Sequence, residues 1–280
     1  PRATAAGMQL PEFGAPEAWV ALGIALFMIG RAVLRRARRD ADPSGITHDA
    51  PRGSPLEWKD LLDDRLPQIA RLTPAQRTLF HERVERFLKA KRFIGCGGLE
   101  ITDEMRALIA GMACLMILRP DAGVFPALRQ ILVYPGPFLV PITEPDEFGL
   151  VPDEPEERVG ESWHGDRVIL SWPDVEAALD GDEVNVVVHE FAHQLDDEGG
   201  AGDGAPRLLD YARWSVVMRS EFDRLQRQRR PRVLDPYGAE SPAEFFGVVS
   251  EAFFQRGAEL ARHHPELYGV LRDYYGFDTA

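Results

Sequence analysis

Two histidines and a glutamate stand together in the segment His189-Glu190-Phe191-Ala192-His193. Residues four apart lie on the same face of an α-helix, so the imidazoles of His189 and His193 can bind one metal ion. Neutral imidazole nitrogen is a good ligand for Zn²⁺. Glu190 is not needed as a ligand, and its carboxylate can take a proton from a water molecule that the metal acidifies to a pKa of about 7. The segment therefore predicts a hydrolytic zinc site with His189 and His193 as metal ligands and Glu190 as the general base.

A third protein ligand must come from later in the chain, because a catalytic zinc takes three protein ligands and a water molecule. His263 and His264 are the only later histidines, and they do not follow at the short spacing of metzincins. Glu244 and Glu251 are seven residues apart and share one face of a predicted helix. Ser241 would form a capping box with Glu244, in which that glutamate only bonds the N-cap amide. The pattern leaves Glu244 and Glu251 as equal candidates.

Asp196 lies seven residues after His189, on the same face of the predicted helix. Carboxylates often accept the free N–H of a ligand imidazole, so Asp196 could orient a ligand histidine. Helix capping and solvent exposure are equally compatible with the pattern.

The elements that must position these residues follow from apolar periodicity and from capping signals. Thr73-Pro74-Ala75-Gln76 has the composition of a capping box and opens a helix predicted to run through about Lys91. A second, buried helix follows Thr102. Predicted strands are Ile131–Tyr134, Pro137–Val140 and Arg167–Trp172, and residues 199–206 are predicted to be a flexible loop. The sequence therefore predicts an α+β domain, mainly helical with a small sheet, over residues 56–280.

The predicted strand Arg167–Trp172 has two interpretations. It could form the edge of the sheet, where a substrate backbone could pair with it by β-augmentation. It could equally be an interior strand, which would leave no backbone groups for a substrate.

The N-terminal segment differs from the rest of the chain. Residues 18–30 carry no charge and are followed by five arginines between Arg31 and Arg39. This pattern predicts a membrane-anchor helix at about residues 18–34 within an N-terminal tail of residues 1–39, with a helix lying in the membrane interface as the alternative. Residues 40–55 are predicted to be a linker. The positive-inside rule then predicts that the domain lies in the cytoplasm, tethered to the inner membrane.

Charge and cysteine content exclude other classes of function. The net charge of -13 at pH 7 and the lack of a long basic run in the main body argue against direct binding of nucleic acid. Cys96 and Cys114 are the only cysteines. They lack the spacing of a thiolate metal site and are predicted to be ordinary reduced thiols.

Four strings resemble the Mlc titration factor A family of bacterial zinc peptidases, namely VVVHEFAHQLD, YGAESPAEFFGVVSEAFF, ILVYPGPFLV and RVILSWPDV. The resemblance covers about residues 60–275 and implies a gluzincin-like fold. It implies that Glu244 is the third zinc ligand. Glu251 would then support one of the ligand residues or pack the helix. The resemblance also implies that Tyr237 is an active-site tyrosine, whose phenol could stabilise an oxyanion; a packed loop tyrosine is the alternative.

Two functions are compatible with these observations. The first is a zinc metallopeptidase that hydrolyses peptide bonds, with aminopeptidase-like activity on short peptides implied by the resemblance. The second is a regulatory protein that sequesters a transcriptional repressor and keeps zinc for structure or as a switch. An intact Glu190 favours the enzyme, because a purely structural zinc site needs no general base.

Overall fold

Helices dominate the part of the chain that the structure, a computed structural model, describes, which is residues 57–140, 156–158, 160–163, 166–200, 202–208, 211–228 and 232–280. The α-helices are α1 (Glu57–Arg65), α2 (Pro74–Ala90), α3 (Asp103–Leu115), α4 (Trp172–Leu179), α5 (Val186–Gly199), α6 (Tyr211–Arg227), α7 (Pro242–Gln255), α8 (Gly257–His263) and α9 (Pro265–Tyr275). Two short 3-10 helices span Pro67–Arg71 and Pro236–Ala239. The strands are β1 (Arg92–Gly95), β2 (Gln130–Tyr134), β3 (Phe138–Val140), β4 (Glu156–Arg158), β5 (Gly160–Trp163) and β6 (Arg167–Ser171).

The predicted helix starts are confirmed by their caps. The Thr73 side chain accepts a hydrogen bond from the Gln76 N–H at the start of α2, and the Gln76 side chain accepts one from the Thr73 N–H. Helix α3 begins after Thr102, as predicted, and every residue from Met105 to Leu115 is buried. The mainly helical α+β architecture with a small sheet therefore agrees with the prediction.

The main sheet has four strands in the order β1-β2-β6-β5. Strands β1, β2 and β6 are parallel, whereas β5 pairs antiparallel to β6. A separate two-stranded antiparallel ribbon joins β3 to β4. The parallel strands need long connections, and α3 lies in the connection between β1 and β2.

The edge interpretation of Arg167–Trp172 is wrong. Strand β6 lies between β2 and β5, so both of its sides are hydrogen-bonded to other strands. The strand also ends at Ser171, because Trp172 and Pro173 already form the first turn of α4. Proline at the start of a helix loses no hydrogen bond, which explains the early switch from strand to helix.

Phe191 anchors α5 to the core of the domain. Its ring packs edge-on against Phe125 with centroids 4.8 Å apart, and it lies 5.8 Å from Phe87 of α2. Aromatic pairs of this geometry add specific packing to the burial of apolar area. Because Phe191 lies between His189 and His193 in the chain, this packing fixes the helix that carries both histidines.

Several predictions concern residues outside the described ranges. The anchor helix at residues 18–34, the tail of residues 1–39 and the linker of residues 40–55 all lie there, so these boundaries stay predictions. Among the residues that are described, none of the helices combines the length and the apolar character that crossing a membrane requires.

Candidate metal centre

Helix α5 presents His189 and His193 on one face. Asn185 starts the helix, and its side-chain oxygen accepts the Val188 N–H at 3.0 Å. The two imidazole rings lie 4.9 Å apart between centroids, and their side chains are 12% and 18% exposed. The pair is thus nearly buried and faces one small volume, as the spacing predicts.

Helix α7 brings Glu244 to the same place. Its Oε2 atom lies 2.9 Å from Nε2 of His189 and 3.6 Å from Nε2 of His193. One potential ligand atom from each of the three residues lies within 4.8 Å of the other two. The donor set is therefore two imidazole nitrogens and one carboxylate oxygen, which fits the three protein ligands of a catalytic zinc.

The charges in this cluster stabilise each other. Burial alone would raise the pKa of Glu244, but hydrogen bonds and charge from His189 and His193 lower it well below its usual range. Burial alone would likewise lower the pKa of His189, whereas Glu244 and Glu251 raise it well above its usual value. Glu244 and Glu251 favour a positive charge at His189. A bound dication would supply that charge in place of a proton on the imidazole.

Glu251 lies on the other side of the His189 ring from Glu244, so the two glutamates have different roles. Its Oε1 atom is 2.6 Å from Nδ1 of His189, and its Oε2 atom accepts the Asn185 N–H at 2.6 Å. Glu251 therefore orients the imidazole of His189 and also secures the start of α5, as carboxylates behind ligand histidines do. The Ser241 side chain caps the Glu244 N–H at 3.1 Å, while the Glu244 carboxylate turns to the histidines.

Gly247 gives His189 the space to lie against α7. A Cβ atom at position 247 would come within 2.6 Å of Cε1 and within 2.8 Å of both ring nitrogens of His189. Sequence analysis missed this residue and also missed the role of Asn185. A glycine inside an apolar helical run and an asparagine before one are the signals that could have found them.

Glu190 is buried beside the cluster, with 5% of its surface exposed. Its negative charge contributes to raising the pKa of His189 and of Tyr237. The charge of Glu190 therefore acts on one of the potential ligands.

Tyr237 covers the cluster from the 3-10 helix Pro236–Ala239. Asp235 caps this turn by accepting the Tyr237 N–H at 2.9 Å. The Tyr237 ring lies 6.0 Å from the His189 ring. Burial and the charges of Glu244 and Glu240 raise the pKa of this phenol, which therefore remains a proton donor.

Asp196 contacts the loop that follows α5. Its carboxylate accepts the N–H groups of Gly204 at 2.7 Å and Ala205 at 2.9 Å, and the residue is 1% exposed. The hypothesis of a direct bond to a ligand imidazole is replaced by this loop contact. Burial raises the pKa of Asp196, which the two N–H groups partly offset.

The later histidines take no part in the cluster. Nδ1 of His264 lies 2.7 Å from Glu221 of α6, and His263 ends α8.

The domain is mainly helical, and two of its helices bring two histidines and a glutamate around one point, with a further glutamate beside them. This arrangement is typical of metallopeptidases. The sequence profile described as glucose-regulated metallo-peptidase M90 matches residues 35–276. The chain belongs to this metallopeptidase family, in which the Mlc titration factor A proteins are its relatives.

Three relatives illustrate the similarity. The chain is 31% identical to Mlc titration factor A of Escherichia fergusonii over 240 residues, covering 83% of this chain and 90% of that protein. It is 33% identical to the protein of the same name from Pectobacterium atrosepticum over 221 residues, covering 76% and 83%. An uncharacterized protein of Synechocystis is 45% identical over 236 residues, covering 80% and 85%.

Proposed function

We propose that this protein is a zinc-dependent, gluzincin-like peptidase in which His189, His193 and Glu244 hold the ion. The observation that carries the proposal is the approach of one donor atom from each residue to within 4.8 Å of the others. Zinc bound there would supply Lewis acidity, which lowers the pKa of water to about 7 and polarises a carbonyl group.

Glu190 acts as the general base in this proposal. Its carboxylate accepts a proton from the attacking water as the water oxygen bonds to the peptide carbonyl carbon. The same carboxyl group then gives that proton to the leaving amine nitrogen, which breaks the C–N bond. Burial of Glu190 beside His189 supports this assignment.

Tyr237 stabilises the negative charge that develops on the carbonyl oxygen. A preorganised hydroxyl donor serves this purpose well. The raised pKa of Tyr237 supports the role, because the hydroxyl keeps its proton at neutral pH.

The substrate is a peptide that pairs with strand β5. This strand forms one end of the four-stranded sheet, with β6 on its inner side, and α5 packs against it. An extended peptide could add to such an edge through its backbone. Aminopeptidase-like action on short peptides is proposed on the family resemblance.

Metal content and turnover of matched variants of the full chain test the proposal. Elemental analysis should find one zinc per wild-type chain and little in Glu244→Ala. Glu190→Gln should retain zinc and lose hydrolysis of a peptide library, since only the base is removed. A folded wild type that binds no zinc, or a Glu190→Gln variant with unchanged turnover, would refute the mechanism.

Binding of a transcriptional repressor is the second candidate function, supported by the name of the relatives. Purified Mlc repressor is a suitable probe in titration calorimetry. Binding that is equal for wild type and Glu190→Gln would establish a function separate from catalysis, whereas absence of binding at high micromolar concentration would reject it.

We also propose that the domain is cytoplasmic and tethered to the inner membrane by residues 18–34. Fractionation of bacterial cells tests this directly. The full chain should sediment with membranes and residues 40–280 should not; equal distribution of both would reject the anchor.

A further inference from the structure

Asp196 and Gly204 link the two helices that carry the candidate ligands. Asp196 lies one helical turn after His193 on α5, and its two carboxylate oxygens accept the consecutive N–H groups of Gly204 and Ala205. The Gly204 carbonyl in turn accepts the Nε1–H of buried Trp214 at 3.3 Å. The backbone around Gly204 is therefore held at three points.

This loop meets the start of α7 at very close range. A Cβ atom on Gly204 would lie 2.3 Å from the carbonyl oxygen of Pro242 and 2.8 Å from its carbonyl carbon. Gly204 also has a φ of +76°, which disfavours any other residue. The contact is between two backbones, so no side chain can rotate away to relieve a clash.

Pro242 precedes Glu244 by two residues, within the first turn of α7. Ser241 fixes this turn through its bond to the Glu244 N–H. Displacement of Pro242 would consequently displace Glu244 relative to His189 and His193. Helices α5 and α7 are also connected by Glu251 of α7, which bonds both His189 and Asn185.

We propose that Asp196 is a positioning residue for Glu244, acting through Gly204 on the first turn of α7. The inference rests on the proposed zinc site, since its consequence is the placement of the third ligand. Asp196 would then affect the affinity for zinc without contacting the imidazole of a ligand histidine.

Two glycines in the same loop provide a matched pair of variants. Gly202 and Gly204 both have positive φ, +58° and +76°, so alanine strains the backbone at either position. A Cβ on Gly202 would meet only Oδ1 of Asp197, at 3.5 Å, whereas a Cβ on Gly204 would collide with Pro242. Gly202→Ala therefore tests the effect of loop strain alone, whereas Gly204→Ala adds the displacement of α7.

The experiment measures zinc affinity by competition with a chelator and thermal unfolding of the metal-free full chain. Gly204→Ala should weaken zinc binding by at least about tenfold, as loss of a supporting residue behind a ligand does. Gly202→Ala should bind zinc within about twofold of wild type, and its metal-free form should melt at a higher temperature than that of Gly204→Ala, because only the Cβ at position 204 collides with a backbone.

Asp196→Asn provides a second variant in case Gly204→Ala fails to fold. It keeps the size of the side chain but replaces one acceptor oxygen with a donor, so one loop N–H loses its partner. It should also weaken zinc binding by about tenfold or more. Its effect combined with Gly204→Ala should be less than the product of the two, because both act through the same contact.

The outcomes distinguish the inference from the proposed function. Wild type that binds no zinc would refute the zinc site itself. Wild type that binds zinc, together with Asp196→Asn and Gly204→Ala variants of unchanged affinity, would overturn only the positioning role. Equal loss in Gly202→Ala and Gly204→Ala would also overturn it, because loop strain would then explain both.

Discussion

At the scale of single residues, His189 is constrained on three sides by α7. Glu244 faces its Nε2 atom, Glu251 faces its Nδ1 atom, and Gly247 leaves space for the ring between them. These three residues are spaced so that they share one face of the helix. The three residues of α7 together fix the orientation of the imidazole.

Gly247→Ala should displace this ring and weaken zinc binding. Forcing an extra methyl group into a packed site costs about 1–3 kcal/mol, which corresponds to roughly fivefold to 150-fold in affinity if the zinc-bound form bears the cost. Chelator competition measures the effect. An affinity equal to that of wild type would show that His189 can bind the metal in another position.

Glu251→Ala should weaken zinc binding by about 10- to 100-fold, because His189 loses the carboxylate that fixes its orientation. Glu244→Ala should have the larger effect, since it removes a proposed ligand. The comparison uses the same chelator assay for both variants. If Glu251→Ala were the more damaging, the assignment of ligand and supporting residue would have to be exchanged.

At the scale of elements, the capping box at the start of α2 should contribute measurably to stability. Thr73→Ala removes the oxygen that accepts the Gln76 N–H and should lower the free energy of unfolding by about 1 kcal/mol. Thr78→Ala is the control on the same helix, because its hydroxyl only bonds back to the Pro74 carbonyl. Urea denaturation should show a clearly smaller loss for Thr78→Ala, and equal losses would argue against the cap.

The helices were predictable because their signals are local. Thr73 and Thr102 precede runs with helical period, and each caps the helix that follows. The place of β6 in the sheet was not predictable in the same way. Its pairing with β2 joins segments that are distant in sequence, and an apolar strand looks similar at an edge and in the interior.

The candidate site shows the same division. His189 and His193 are four residues apart, so their spacing alone predicts that they share a helix face. The choice between Glu244 and Glu251 depends on how α7 packs against α5, which no local pattern contains. The partners of Asp196 were not predictable for the same reason, since Gly204 and Ala205 become its neighbours only when the loop folds back.

At the scale of the whole molecule, Lys91 makes stability depend on pH. Its ammonium group is buried and donates to the carbonyl oxygens of Phe125 and Leu128. Burial, with a smaller contribution from the charge of Arg129, lowers the pKa of Lys91 to about 8. In the unfolded chain the pKa is about 10.4, so the folded state releases this proton first as pH rises.

The contribution of Lys91 to stability should therefore increase between about pH 8 and pH 10. Comparison of wild type with Lys91→Met cancels the other titrating groups. The difference in free energy of unfolding should shift in favour of wild type as pH rises from 7 to 10. A difference that is constant over this range would mean that the amine has the same pKa in both states.

The proposed ligands His189 and Glu244 are 55 residues apart in sequence and come from different helices. An ion bound to both would act as a cross-link that exists only in the folded chain, so its binding free energy would add to the free energy of unfolding. At a free zinc concentration 1,000 times the dissociation constant this addition is about 4 kcal/mol. The supply of zinc would then govern the lifetime of the protein as well as its activity, and a cell short of the metal would lose both together.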